Sequence, residues 1–221
     1  MSAIFSLTTD YPVAFDSLDH LYPFGTAQDN SRNASFNAKL LSYFPTTAFS
    51  VMDLGCSGGG FVKDMLDENV DAIGIEGSDY SLKHDRAEWA TIPHHLFTAD
   101  ITRPFTVRSV EGDISQDPHR FDVVTAWELF EHIEHGAPLQ MLMDNIGRHT
   151  REGSLLLASI ANFVSVSPHV GVDHHRIHEG WEWWARMFAA FGWRRDLDVE
   201  RHFEGHWVRT STMNPALRRL R

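Results

Sequence analysis

Residues 51–61 read VMDLGCSGGGF, an apolar run that breaks into glycines. The run from Phe49 to Leu54 has the length and composition of a buried strand, and Gly60 to Glu68 reads as a helix. Glycines between a strand and a helix let the backbone approach a ligand and leave the first helical N–H groups pointing at it. Asp53 is out of place in an apolar strand unless it has a partner. A cationic ligand or the N–H groups of the loop would serve. A GxGxxG loop would need glycine where Ser57 stands, so the dinucleotide pattern is incomplete. The other template, Asp-x-Gly-x-Gly-x-Gly, is met by Asp53, Gly55, Ser57 and Gly59 with the same single exception. Cys56 inside the loop reads as a small packing residue, since no base is paired with it in the sequence.

The pattern outward from this loop is strand alternating with helix. Ala72 to Ile75 is a second strand, and Glu76 at its end lies 21 residues after Gly55. An acid at this place hydrogen-bonds the hydroxyls of a bound ribose. The spacing predicts a helix over Leu82 to Ala90, a strand over His95 to Ala99, and a polar, Pro-interrupted connection over 102–120. Phe121 to Ala126 is a fourth strand, Leu139 to His149 a helix, and Ser154 to Ile160 a fifth strand. Trp181 to Phe191 is a helix with Trp184, Phe188 and Phe191 on one face. Arg194 to His202 and Trp207 to Thr210 read as two β-like runs joined around Gly205. Upstream, residues 1–30 read as an irregular arm, and Asn33 to Phe44 as a helix with Phe36, Leu40 and Phe44 aligned. The expectation is a single α/β, Rossmann-like domain with a seven-stranded, mostly parallel sheet and a C-terminal antiparallel hairpin. Residues 1–44 would form an arm and helix, and 45–221 the main domain.

Taken together, these residues resemble the class I S-adenosylmethionine-dependent methyltransferases over roughly 45–195. Asp53, Gly55, Ser57 and Gly59 match the first motif of that family, and Cys56 lies within it. Glu76, followed by Gly77, matches its ribose-binding acid, and Asp100 in FTADI the acid that meets the adenine amino group, with Ile101 beside the ring. FDVVTAWELFEHI, 121–133, resembles the fourth motif, with Trp127 and Glu128 facing the methyl group. The resemblance implies S-adenosylmethionine as cofactor. A looser resemblance, in YPFGTAQDNSRNASFN (22–37), EGSDYS (76–81) and AEWATIPHHLFTADIT (87–102), points to methyltransferases of bacterial surface-glycan and secondary-metabolite pathways. It implies an arm folded over the cofactor and a sugar-like, small hydroxyl acceptor, with a sugar or nucleotide-sugar ranked first.

Glu128, Glu131 and His132 would share a face if helical, and two carboxylates with an imidazole suit Mg²⁺ or another divalent cation. Some members of the superfamily use a similar ExxEH group with a later histidine, among them enzymes acting on the terminal ribose of small RNAs and in ubiquinone pathways. The later histidine here would be His174, His175 or His178; the ordinary alternative is that these are helix-start residues of a common pattern. His132, His174 and His178 are also the candidates for a base that removes a hydroxyl proton, since imidazole titrates near neutrality. His169 and His175 share the same loop, which otherwise reads as a solvated, His-rich stretch. Of Trp181, Trp183 and Trp184, the last reads as core and one of the others as a platform for a sugar ring.

The chain of 221 residues carries a formal charge of −11. That opposes a grip on a long nucleic acid, which calls for a basic surface. No apolar run is long enough to span a bilayer, so no membrane partner is expected. The single cysteine, Cys56, excludes an intrachain disulfide framework and fits a cytoplasmic setting.

Overall fold

The computed structural model describes residues 3–110, 117–166, 171–209 and 212–220. In chain order the elements are β1 (Phe5–Thr9), α1 (Leu18–Leu21), α2 (Ala34–Tyr43), β2 (Ser50–Leu54), α3 (Gly60–Asp67), β3 (Asp71–Glu76), α4 (Tyr80–Lys83), a 3-10 turn (Ala87–Ala90), β4 (Leu96–Thr98) and β5 (Phe105–Ser109). They continue with β6 (Phe121–Trp127), a second 3-10 turn (Phe130–His132), α5 (Ala137–Arg148), β7 (Thr150–Ser159), α6 (Trp181–Ala190), β8 (Trp193–Arg195), α7 (Leu197–His202) and β9 (Ala216–Arg219).

Seven strands form one sheet in the order β4-β3-β2-β6-β7-β9-β8. The first five are parallel, while β9 runs antiparallel to both β7 and β8. Strand residues alternate between the two faces, and the core divides accordingly. Val51, Ala72, Val123 and Leu155 pack with Phe61 and Met65 of α3 and with Phe36 and Leu40 of α2. Met52, Ile73, Val124 and Leu156 pack with Leu142 and Ile146 of α5 and with Trp184 and Phe188 of α6. The chain winds outward from β2 through β3 to β4, and from β6 to β7 on the other side. The crevice between the carboxyl ends of β2 and β6 is therefore the switch point where such sheets bind ligands.

Four expectations change. Residues 1–30 are not wholly irregular: β1 pairs antiparallel with β5, Phe5 opposite Ser109, in a separate two-stranded sheet. That pairing also puts a strand into the connection expected over 102–120. The helix expected over Leu82 to Ala90 is instead short α4 and a 3-10 turn, interrupted at Asp85 and Ala87, both with positive φ. The terminal antiparallel pair exists as β8–β9, but its strands lie at 193–195 and 216–219. The first β-like run bends into α7 because the Asp196 carboxylate caps the N–H groups of Asp198 and Val199. Thr210 and His169 lie outside the described residues.

The arm is tied across the carboxyl ends of the strands by backbone bonds. Asp100 N–H donates to Tyr11 O (2.9 Å), and Ala14 N–H donates to Gly77 O (2.9 Å). α1 follows, capped by the Ser17 hydroxyl.

Candidate functional site

β2 ends in Gly55, whose φ of +75° is a left-handed turn that glycine makes without strain. Gly58 is held by proximity rather than by dihedral. A Cβ there would stand 2.5 Å from Asn30 Oδ1, so the arm can approach the loop only over a glycine. Between them Ser57 adopts a φ of +46°. Its N–H donates to Glu76 Oε2 (2.8 Å), and its hydroxyl bonds Asp29 O (2.9 Å) and Thr26 O (3.1 Å) of the arm. Arg86 Nη2 donates to the same two carbonyls (2.5 and 2.7 Å).

Asp53 is buried in β2 and accepts a hydrogen bond from the Thr125 hydroxyl of β6 (2.6 Å). Its partner is thus a neighbouring strand, not the loop. Burial, reinforced by the nearby Glu76 and Asp29 charges, pushes its carboxyl up to about 7. Glu76 is also buried, and burial raises its pKa against the N–H bonds from Ser57 and Ser78 that lower it. Asp100 Oδ1 accepts the N–H (2.9 Å) and hydroxyl (2.6 Å) of Thr102.

Two adjoining cavities open over these residues. The first, about 510 Å³, is lined by Gly55, Glu76, Gly77, Asp100 and Ile101, with Leu18 and Asp19 of the arm, and with Leu129, His132 and His174. The second, about 500 Å³, shares Asp19, Gly55, Glu76, Leu129 and His132, and adds Ser57, Phe24, Trp127, Glu128 and Arg209. A recess of about 50 Å³ reaches Asp53 and Cys56 beside Asp29, Trp127 and Arg209. Gly59 lines none of these; it caps α3 with a φ of +85°.

The residues after β6 do not form the helix that would align Glu128, Glu131 and His132. Glu128 has a φ of +48°, and its carboxylate accepts from Arg209 Nε (2.7 Å). Glu131 points into the protein, fully buried, where Oε1 accepts the Ala161 N–H (2.6 Å). Its backbone carbonyl accepts from Arg176 (2.6 Å) and Ile177 (3.2 Å). Burial pushes the Glu131 carboxyl up to about 7. Glu131 therefore fastens the loop after β7 in place, and the four-residue metal set of Glu128, Glu131, His132 and His174 is not assembled. Among the described residues, the ligand-type side chains within 4.8 Å of one another are Asp19, His132 and His174. Asp19 Oδ2 lies 3.0 Å from His132 Nδ1, and Oδ1 lies 3.4 Å from His174 Nδ1.

His178 stands apart from both cavities and pairs with Asp173 (2.8 Å). His175 is buried with Nδ1 on Phe163 O (2.6 Å), and burial holds its pKa down. Trp184 is core, as expected. Neither Trp181 nor Trp183 lines the two cavities or the recess: Arg195 lies over the first, and the second meets His135. The aromatic side chains at the second cavity are Trp127 and Phe24. Asp19, Arg86 and Arg209 were not singled out by the sequence; nothing in their local pattern marks them, since each reaches the site from a distant segment.

An open α/β sheet with acids at the ends of β3 and β4, both lining one cavity at the switch point, defines a Rossmann-like protein. The chain belongs to the methyltransferase domain family, whose model matches residues 26–211. Its fold is that of the class I S-adenosylmethionine-dependent methyltransferases. Such an enzyme from Clostridium acetobutylicum superposes with a TM-score of 0.58 at 12% identity, over 86% of this chain and 93% of that one. A sugar N-methyltransferase from a Streptoalloteichus species gives 0.57 at 15% identity, over 97% of each chain. In sequence, the chain is 31% identical over 83 residues to a ubiquinone biosynthesis O-methyltransferase of Nitrosospira multiformis. That match covers 38% of this chain and 32% of the relative, about a third of its length. Among the described residues no helix is long and apolar enough to cross a membrane.

Proposed function

We propose that this chain transfers a methyl group from S-adenosylmethionine to a hydroxyl of a small acceptor, a sugar or nucleotide-sugar first among them. The observation that carries the reading is the pair of adjoining cavities. One is lined by Glu76 and Asp100 at the ends of β3 and β4, and the other opens at the end of β6. Glu76 would bind the ribose hydroxyls, Asp100 the adenine amino group, and Ile101 a face of the ring. Asp53 and Asp29, beside the small recess, offer acidic partners for an ammonium. These residues fit the cofactor, whose positively charged sulfur carries the methyl group that is transferred.

The acceptor would enter the second cavity, with Trp127 and Phe24 against its apolar faces and the Glu128–Arg209 pair against its polar groups. The task of these walls is to hold the nucleophile in line and to exclude water. His132 stands at the boundary of the cavities, where a hydroxyl proton must leave. Similarity to ubiquinone O-methyltransferases favours a hydroxyl, and the sugar-methylating neighbour and the arm's resemblance favour a sugar. The charge of −11 and a single buried cysteine favour a small acceptor in a cytoplasmic setting. No step is assigned to a divalent cation, because Glu128 and Glu131 are engaged elsewhere.

Incubation with labelled cofactor and a panel of sugars, nucleotide-sugars, catechols, amino sugars and short RNAs, read by mass shift, tests this. Methylation of a hydroxyl in a sugar or nucleotide-sugar is expected. Methylation confined to amines or to RNA overturns the acceptor class, and cofactor binding with no turnover of any member leaves a cofactor-binding protein.

A further inference from the structure

We propose that Asp19, carried by the N-terminal arm, is the positioning residue that fixes His132 in its proton-accepting tautomer, so that the base is complete only when the arm lies over the site. The inference rests on the methyl-transfer reading above. Three segments distant in sequence meet here: α1 of the arm, the 3-10 turn after β6, and the loop after β7. One carboxylate spans both imidazoles, at 3.0 Å from His132 Nδ1 and 3.4 Å from His174 Nδ1.

An ionised carboxylate only accepts hydrogen bonds, so the shared proton belongs on the imidazole nitrogen. Asp19 is ionised at neutral pH. Partial loss of solvent opposes its charge, but the bonds and charges of His132 and His174 hold its pKa below the usual value. A neutral ring protonated at Nδ1 keeps the lone pair of Nε2 free. His132 is the ring that lines both cavities, whereas His174 lines only the first. His174 instead completes the carboxylate's coordination, and its own Nε2 is buried with no hydrogen-bond partner.

The charge balance gives Asp19 its chemical value. His132 Nε2 takes the hydroxyl proton as the acceptor oxygen bonds the methyl carbon. The carbon–sulfur bond breaks with its pair left on sulfur. A positive charge thus vanishes at sulfur and appears on the His132 ring, beside a carboxylate already in place. Burial disfavours that charged ring, yet Asp19, with Glu131 and Glu128, outweighs burial and raises the His132 pKa. With the arm lifted, His132 would lose its Nδ1 partner and its fixed tautomer.

The test is the tautomer itself, read in the full chain by long-range ¹H–¹⁵N correlation on histidine-labelled protein at pH 8, with His132→Gln to assign the signal. An Nδ1–H, Nε2-free ring is expected in the unaltered protein, and a mixed or reversed tautomer in Asp19→Ala. The Asp19 side chain is 41% exposed, so this variant should keep its fold, which a melting curve checks. On any acceptor that is turned over, Asp19→Ala should lower kcat ~10²-fold or more while the KM for cofactor stays within about twofold. Asp19→Glu should recover part of kcat. A proton on Nε2 in the unaltered protein, or a tautomer unmoved in Asp19→Ala, overturns the proposal. So does loss of activity to a chelator with recovery on adding Mn²⁺, which would make the cluster a metal site. The tautomer is read without an acceptor, so failure of the methyl-transfer reading and failure of this one are seen separately.

Discussion

Ser57 holds a left-handed backbone that glycine would adopt at less cost, and what it offers in return is a hydroxyl bonded to two arm carbonyls. A departure from the glycine pattern is thereby a contact between the loop after β2 and the arm. Glu76 is the second residue of consequence. It orients the loop through Ser57 N–H and faces both cavities. Glu76→Ala should weaken binding of the demethylated cofactor by about 1.5–3 kcal/mol, the scale of a charge-assisted hydrogen bond. Calorimetry measures this, and unchanged affinity would place the nucleoside elsewhere. Glu131 acts through the loop it fastens. Glu131→Gln keeps an acceptor for Ala161 N–H and should be tolerated. Glu131→Ala leaves that buried N–H unpaired and should cost about 1–3 kcal/mol, seen in denaturant titration of the two variants.

The arm is the element on which chemistry and stability meet, and its two halves differ. β1 belongs to the folded body: Phe5 is buried, and the strand pairs with β5 along its length. Removing residues 1–30 would strip β5 of its partner, so truncation does not isolate a lid. Residues 14–30 are instead held over the site by Gly77, Ser57 and Arg86. Arg86→Ala combined with Ser57→Ala should speed amide exchange over 17–30 and hasten cofactor-product release, with the melting temperature little changed. Exchange in that segment as slow as in the unaltered chain would show that other contacts hold it. α2 packs into the core. Phe36, fully buried, packs against Phe61, Trp127 and Phe203, which makes the helix a wall of the core under Trp127.

Across the whole molecule, buried titratable groups oppose one another as pH falls. His149 is buried, with Nε2 accepting the Val107 N–H (2.9 Å), and burial depresses its pKa to about 4. Its unfolded value is about 6.5, so its contribution to stability is full above that pH and is lost as pH falls toward 4. Asp53 and Glu131, raised to about 7, have the reverse sign: their contribution is full below the unfolded carboxyl pKa and is lost as pH rises through 7. The isolating measurement is therefore a difference. The stability gap between the unaltered chain and His149→Gln should shrink by up to about 3 kcal/mol between pH 7 and 4. A gap independent of pH would mean that His149 is charged or solvated in the folded state.

The parallel sheet was legible because each buried strand is a short apolar run that ends in a turn signal, and β2, β3, β6 and α3 fall within a residue or two of their expected bounds. The acids Glu76 and Asp100 share one cavity because both sit at strand ends, and strand ends in such a sheet line one crevice. α7 was readable in principle from the Asp196 cap, but the β-branched and aromatic residues around it pointed to a strand. β1 and β5 were not readable, since their pairing joins Phe5 to Ser109 and neither run is apolar enough alone. The residues about His132 depended on a backbone turn. Glu128 with positive φ sends its carboxylate to Arg209, and a 3-10 turn buries Glu131, so helical spacing could not predict the cluster. Local patterning thus determined the parallel strands of the main sheet and the crevice at their carboxyl ends. Long-range packing decided which carboxylate meets the histidines, because Asp19 reaches His132 across 113 positions of chain and no periodicity encodes that contact.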